Sequence, residues 1–165
     1  MTRTSTATFL SGAACAVLAR RALGKALRLK FEGDLARLNA GDYTSLLRSY
    51  HPDAVLTFTD GDHRWAGVHR GRAAIERFLQ NFTAAKIQGE IVEVLFAGPP
   101  WALTAMVRFD DGARGPDGQL LYENRTVLVV RTRWGRIVEH EDFYVDTGRI
   151  AEFEQRLREL GVAAV

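Results

Sequence analysis

A chain of 165 residues and 18.4 kDa is long enough for one domain with a buried core and short for two. Hydrophobic residues at 47% and charged residues at 25% form an ordinary globular mixture, which excludes disorder, collagen and coiled coil for the whole chain. The single cysteine, Cys15, excludes an internal disulfide framework and a multi-thiolate metal site, and a net charge of only +2 argues against a dedicated nucleic-acid binder.

The positive charge is concentrated at the start of the chain, where the first 31 residues hold six basic side chains and no acidic one. The apolar stretch Ala7–Ala19 has 13 residues, fewer than the roughly 20 that a spanning helix needs, so stable membrane insertion is not expected. Arg20 and Arg21 stand where a signal peptide would be cleaved, and a cytoplasmic location is predicted. Residues 1–29 are predicted to be a basic leader, either a frayed helix, a helix lying on a membrane or partner, or part of an exported protein.

Helices come early in the chain and strands come late. In chain order the predicted elements are a helix with its apolar stripe over Leu23–Leu38, a helix over Tyr43–Tyr50, a hairpin of Ala54–Thr59 and Arg64–Val68, a helix over Arg72–Phe82, strands over Ile87–Phe96, Ala102–Phe109, Leu120–Thr132 and Arg136–Tyr144, and a helix over Gly148–Leu160. The glycine-rich stretch 110–118 is predicted to be a loop. This order predicts an α+β fold, in which a curved, mostly antiparallel sheet wraps three N-terminal helices as a cone and a C-terminal helix follows.

The third of the four long strands has two different faces. Four of its residues share the face that we expect to turn inward: Asn124, Thr126, Leu128 and Val130. The opposite face alternates charged residues with Val127 and Val129. That face is therefore predicted to pair with a second copy of the chain in a homodimer.

The chain contains the stretches NAGDYTSLLRSYHPDAVLTF, GVHRGRAAIERFL and RWGRIVEHEDFYVDT. Together they resemble the nuclear transport factor 2-like superfamily and, within it, the SnoaL-like family. The resemblance covers about Lys30–Arg149 and implies a cone domain over 30–149, followed by a C-terminal helix and tail over 150–165. The superfamily contains polyketide cyclases, ketosteroid isomerases, limonene-epoxide hydrolases and dehydratases, together with non-catalytic binding and transport proteins. Its enzymes share a cofactor-free conical pocket with acid–base side chains in an apolar wall.

Asp142 is the first catalytic candidate. The segment GRIVEHED resembles the SnoaL-like cyclase segment that ends in the acid/base aspartate, and burial in an apolar cone raises the pKa of a carboxyl group toward the useful range. Arg108 is the second candidate, as a pocket cation or as the ion-pair partner of Asp142. With Asp110 they resemble the Asp-Arg-Asp set of the epoxide hydrolases, whose Tyr and Asn have no clear counterparts in AVLTFTD. The alternative is a structural, salt-bridged or sheet-edge Asp142.

Six further residues are predicted to line the pocket: Asn124, Tyr122, Trp65, Phe58, His69 and His140. His69 is placed at the start of the third helix, near the mouth of the cone. His140 lies two residues before Asp142 and points the same way on a regular strand, as a relay partner or as a surface histidine. The position that we align with the inward histidine of the cyclases is near Leu128, so that partner is absent.

The remaining motifs exclude several classes of site. The four histidines fall in unrelated segments, so no metal site is predicted, and no phosphate loop or dinucleotide fingerprint indicates a cofactor. The chain is predicted to bind a small, largely apolar molecule in a conical pocket. If it is an enzyme, the expected chemistry is cofactor-free acid–base catalysis of the isomerase, cyclase or hydratase type. The alternative is a non-catalytic ligand-binding or protein-interaction module of the same fold. The expected partners are a small hydrophobic ligand and a second copy of the chain, not nucleic acid.

Overall fold

A computed structural model describes residues 5–165, with side chains at residues 14 and 15 and from residue 17 onward. The first helix, α1, covers Ser5–Asn39, and the chain divides into a unit that ends at Gly33 and a second unit, Asp34–Val165. The first four residues of the predicted leader lie outside the described residues, and the three roles considered for it stay predictions. Within the described part of the chain, no helix is both long and apolar enough to cross a membrane.

The second unit holds a six-stranded sheet and three more helices. Its elements are α2 (Thr44–Ser49), β1 (Tyr50–Phe58), β2 (Gly67–Arg70), α3 (Gly71–Ala84), β3 (Gln88–Ala97), β4 (Thr104–Arg114), β5 (Leu120–Arg133), β6 (Arg136–Tyr144) and α4 (Thr147–Glu159). The strand order is β2-β1-β6-β5-β4-β3, and every neighbouring pair is antiparallel except β1 and β6, which run parallel. The predicted α+β class with a curved, mostly antiparallel sheet is confirmed. The sheet is open, with β2 and β3 as its edges.

The helices cover one face of this sheet because each has one apolar side. In α3 the buried apolar residues are Ile75, Phe78, Leu79 and Phe82, and in α4 they are Ile150, Phe153 and Leu157. Phe78 lies against Phe58 of β1, and Phe153 stacks on Tyr122 of β5. The Asp146 carboxylate accepts the backbone N–H of Arg149 and so caps the start of α4. The face that the helices cover is called the inner face below.

The structure moves two predicted boundaries that affect the site. Strand β4 continues to Arg114, through residues expected to form a loop, because Asp111, Gly112 and Ala113 pair with β5. A Cβ at Gly112 would lie 2.9 Å from the Tyr122 carbonyl oxygen, so the glycine serves close strand approach there rather than a turn. The expected position of His69 at the start of a helix is wrong, because it lies within β2 opposite Leu56.

Candidate functional site

The register of the strands places the polar residues of the inner face at neighbouring positions. Residues directly opposite each other across a strand pair share a face, so the pairing of Leu128 with Asp142 places this aspartate on the inner face. His140 lies two residues before Asp142 on the same face of β6, and Tyr144 lies two residues after it. Asp111 of β4 enters the same face opposite Asn124. Strands β4 and β6, on either side of β5, thus carry two carboxyl groups, an imidazole and a phenol on the side that the helices cover.

His140 sits between a tyrosine and an aspartate. The Tyr50 hydroxyl lies 2.6 Å from His140 Nδ1, and Asp142 Oδ1 lies 2.8 Å from His140 Nε2 in a close contact that lacks hydrogen-bond alignment. Burial raises the pKa of Tyr50 far above its usual value, and the Asp142 charge adds to the rise. A hydroxyl that keeps its proton donates to Nδ1, which leaves Nε2 as the ring nitrogen that carries hydrogen beside Asp142. The arrangement is a Tyr–His–Asp series inside the fold.

Asp111 forms a second centre with two tyrosines. The Tyr144 hydroxyl donates to Asp111 Oδ2 at 2.9 Å, and the Tyr122 hydroxyl donates to the same oxygen at 3.5 Å. Oδ1 is buried and has no hydrogen-bond partner among the described residues. The pKa of Asp111 is raised to about 7, chiefly by burial; the hydrogen bond from Tyr144 opposes the rise, the negative charge of Asp142 adds to it, and the hydrogen bond from Tyr122 opposes it. At neutral pH this carboxyl group is therefore poised between its acid and base forms.

Both tyrosines stay donors. Burial, followed by the charge of Asp111, raises the pKa of Tyr144 and of Tyr122 well above the ordinary value. A phenol held neutral in this way can position Asp111 but not compete with it for protons near neutral pH. The aromatic ring of Tyr144 also packs on Phe58, with ring centroids 5.0 Å apart. The site is thus anchored to the apolar core on one side.

A cavity of about 630 Å³ reaches this site at Asp111 and Asn124. It lies at the end of the strands, between the close of α1 at Asn39 and the start of α4 at Arg149. Its lining is mostly polar and charged, which differs from the apolar pocket that the sequence predicts. In the part of the chain that the structure describes, no three His, Cys, Asp or Glu side chains come together as a metal site.

Comparison with known families agrees with this geometry. The SnoaL-like domain model matches residues 33–140, more than half of the chain. The chain belongs to the SnoaL-like family. The match ends two residues before Asp142, so the candidate aspartate itself lies just beyond the matched stretch. A search of curated proteins returns no match.

Solved structures share the fold at low sequence identity. An NTF2-like protein from Anabaena variabilis aligns with a TM-score of 0.56 and 18% identity over 76% of this chain and 90% of its own. A putative polyketide cyclase from Sinorhizobium meliloti gives 0.51 and 22% over 67% and 89%, and TerC, co-crystallised with polyporic acid, gives 0.58 and 18% over 76% and 95%. At these identities the likeness establishes the fold alone.

The SnoaL-like chain brings only some of its predicted site residues together. Asp142, His140 and Tyr122 lie in or beside the buried cluster. Arg108 does not: it lies on the outer face with its side chain 46% exposed, and its nearest carboxylate is Asp110, at 3.6 Å. The expected pairing of Arg108 with Asp142 is therefore wrong, because the alternation of β4 sends residue 108 to the face opposite Asp142.

The other predicted pocket residues connect neighbouring elements by hydrogen bonds or pack in the core. The Asn124 side chain donates to the Asp146 carbonyl oxygen at 2.6 Å and accepts the Arg125 N–H, which ties β5 to the start of α4. Trp65 stacks on Phe153, with ring centroids 6.0 Å apart. His69 Nε2 lies 2.9 Å from the Trp65 carbonyl oxygen. Their role as ligand contacts stays a prediction.

Sequence reasoning missed Asp111, Tyr144 and Tyr50. A signal for the first was present, since Val107, Phe109 and Asp111 continue one period-2 alternation into the glycine-rich stretch. Tyr144 has the same parity as Asp142 and was equally readable. Tyr50 had no local signal, because its contact with His140 joins residues 90 positions apart.

Proposed function

We propose that this SnoaL-like chain binds a small molecule beside the inner face of its sheet and moves protons on it without a cofactor, with Asp142 as the principal acid–base group. The observation that carries the proposal is the buried contact of Asp142 with His140, backed by Tyr50. A buried carboxylate beside an imidazole that a phenol also contacts supplies the group types that general acid–base catalysis uses. The largely apolar character of the ligand and the cytoplasmic location stay predictions.

Asp142 and Asp111 would divide the chemistry between them. Asp142, as the carboxylate, removes a proton from carbon beside a carbonyl group, and its Oδ1 lies 2.8 Å from His140 Nε2. Asp111 binds a polar group of the ligand through its free Oδ1 and so holds the reacting carbon near Asp142. This division fits an isomerase or cyclase better than epoxide hydration of the Asp-Arg-Asp type, because Arg108 lies on the other face. Relatives named as a putative polyketide cyclase and as TerC with polyporic acid support a small-molecule ligand.

The proposal is tested with Asp142→Asn and a neighbouring control, Glu141→Gln. Glu141 pairs opposite Val129 and points to the outer face of the same strand. The compounds tested are a panel of cyclic ketones and β-dicarbonyl compounds. NMR in D₂O follows proton exchange as the loss of the signal from the hydrogen on the carbon next to the carbonyl group. We expect wild type and Glu141→Gln to accelerate exchange for some members of the panel, and Asp142→Asn to lose about 100-fold or more of that acceleration. No acceleration by the wild type would sink the catalytic proposal.

A non-catalytic binding module is the second candidate, because the buried side chains also satisfy one another: Tyr50 with His140, and Tyr144 with Asp111. In that case Asp142→Asn lowers the free energy of unfolding by about 2 kcal/mol or more, since a structural contact is lost. In the catalytic case the neutral amide relieves a buried charge, so stability is unchanged or higher. Thermal melting of the two variants separates these outcomes before any ligand is known.

We also propose a homodimer formed through the outer face. This face carries the exposed side chains Met106 and Phe143 next to Val127 and Val129. Exposed apolar residues in adjacent rows favour burial against a second copy. Light scattering at micromolar concentration should give twice the 18.4 kDa chain mass, and Phe143→Asp should return it to one chain mass. A wild-type mass of one chain would refute the dimer.

A further inference from the structure

The cavity beside Asp111 contains an acceptor that no described residue satisfies. Asp111 is 5% exposed, and while its Oδ2 accepts from two tyrosines, its Oδ1 accepts from nothing that the structure describes. Leaving a buried acceptor unpaired costs about 1–3 kcal/mol, more when it is charged. Because Asp111 also lines the cavity of about 630 Å³, a ligand in that cavity is the natural source of the missing donor.

The charge around the cavity indicates which kind of donor. Five carboxyl groups line it: Glu90, Asp110, Asp111, Glu123 and Asp146. Only two arginines face them, Arg125 and Arg149. Arg149 already forms two ion pairs: its Nη1 lies 3.5 Å from Glu123 Oε1, and its Nε lies 3.3 Å from Asp146 Oδ2. The excess of negative charge favours a cation and disfavours an anionic ligand.

Asp110 strengthens the acidic character of the cavity. One of its oxygens, Oδ1, is buried and has no hydrogen-bond partner among the described residues, and the other lies 3.6 Å from Arg108. Asp110 therefore adds its negative charge to the lining of the cavity, although its side chain leaves β4 on the face opposite Asp111.

We propose that this cavity receives the protonated amino group of a small-molecule ligand, with Asp111 Oδ1 accepting one of its N–H donors. The inference rests on the proposed function, since it names the ligand class for the cavity that reaches the inner face at Asp111. A neutral alcohol would satisfy Oδ1 but would gain nothing from the surrounding charge. A carboxylate ligand would be repelled.

The proposal implies that binding and protonation compete. An ammonium group favours the ionised form of Asp111, whereas the free site, with its pKa near 7, holds a proton in more acidic solution. The titratable groups that act on Asp111 from the inner face are Tyr122, Tyr144 and Asp142. The charged groups that share the lining of the cavity with it are Glu90, Asp110, Glu123, Arg125, Asp146 and Arg149. Amine affinity should therefore fall by about tenfold per pH unit below pH 7 and level off above it.

The experiment compares three probes of one shape: benzylamine, benzyl alcohol and benzoate. Titration of the full chain at pH 8 and pH 6, followed by NMR of the isotope-labelled protein, gives the three dissociation constants. We expect benzylamine to bind at least tenfold more tightly than benzyl alcohol at pH 8, and benzoate to bind most weakly. The preference for the amine should shrink at pH 6.

Variants assign the preference to Asp111. Asp111→Asn should weaken benzylamine at least tenfold at pH 8 and leave benzyl alcohol nearly unchanged, whereas Asp53→Asn, at a carboxylate whose side chain is 92% exposed, should change neither. If Asp111→Asn does not fold, Tyr144→Phe serves instead: losing a hydrogen bond that favours the carboxylate, it should shift the pH midpoint of amine binding upward.

Any of three results would overturn the inference: equal affinity for the amine and the alcohol, no amine binding up to about 10 mM, or an Asp111→Asn variant that keeps the preference. Its failure is separable from failure of the proposed function. Asp142-dependent proton exchange without an amine preference contradicts this inference alone. An amine preference without proton exchange contradicts the acid–base chemistry alone.

Discussion

The inner and outer faces of the sheet hold the same residue types and give them different chemistry. Asp110 and Asp111 are consecutive, yet the Asp110 side chain is 41% exposed beside Arg108, while Asp111 is buried under Tyr144. Water screens the ion pair of Asp110 with Arg108, which therefore contributes little to stability. Asp111 has lost its hydration, so its pKa has risen to about 7. One step along a strand decides which aspartate can act as an acid or base.

The largest expected difference between the two faces is in the pH dependence of stability. Asp111 has a folded pKa near 7 against an ordinary value of 3.8, so between these values the folded chain binds the extra proton. The free energy of unfolding therefore falls as pH rises through this window, by up to about 1.4 kcal/mol per pH unit, and levels off above it. Urea unfolding at pH 5, 6, 7 and 8 measures this slope.

Asp111→Asn should remove that contribution, and Asp110→Asn should retain it. The difference between variant and wild type isolates one group, because all other titrating residues are common to both. Parallel stability profiles for wild type and Asp111→Asn would show that residue 111 ionises normally and that the inner face is not special.

A smaller effect is expected from exchanging one hydroxyl between the faces. Tyr144→Phe removes the hydrogen bond to Asp111 and should cost about 1 kcal/mol at pH 8, where Asp111 is ionised, and less at pH 5. The reverse change on the outer face, Phe143→Tyr, adds a hydroxyl to a half-exposed ring and should be nearly neutral. Unfolding at the two pH values checks both; equal costs at pH 5 and pH 8 would contradict the assigned partner.

The smallest effect is expected at the ion pair of the outer face. Arg108→Ala should change the free energy of unfolding by less than about 0.5 kcal/mol, because the pair is 3.6 Å long and its side chains are 46% and 41% exposed. Denaturant unfolding at low and moderate salt measures it. A loss above 1 kcal/mol would place Arg108 in a role that the structure does not give it.

Much of the site was readable from local pattern. His140 and Asp142 share a strand face by parity alone, and the structure places them 2.8 Å apart. The glycines after Asp111 hid the continuation of β4, because glycine is typical of turns and its use for close strand approach at Gly112 depends on the partner strand. The face of Arg108 relative to Asp142 was not readable, since it depends on the register of β4, β5 and β6.

Periodicity and short motifs, which are properties of neighbouring residues, are sufficient to predict the α+β class, the SnoaL-like family, the alternation of each long strand and Asp142 as a candidate. Strand pairing and packing, by contrast, bring Asp111 into the site, place Tyr50 against His140 and keep Arg108 out of the site. Each of these depends on which strands pair and in which register, and on how much water the packed helices remove from a carboxyl group. Those are long-range quantities that no local pattern contains.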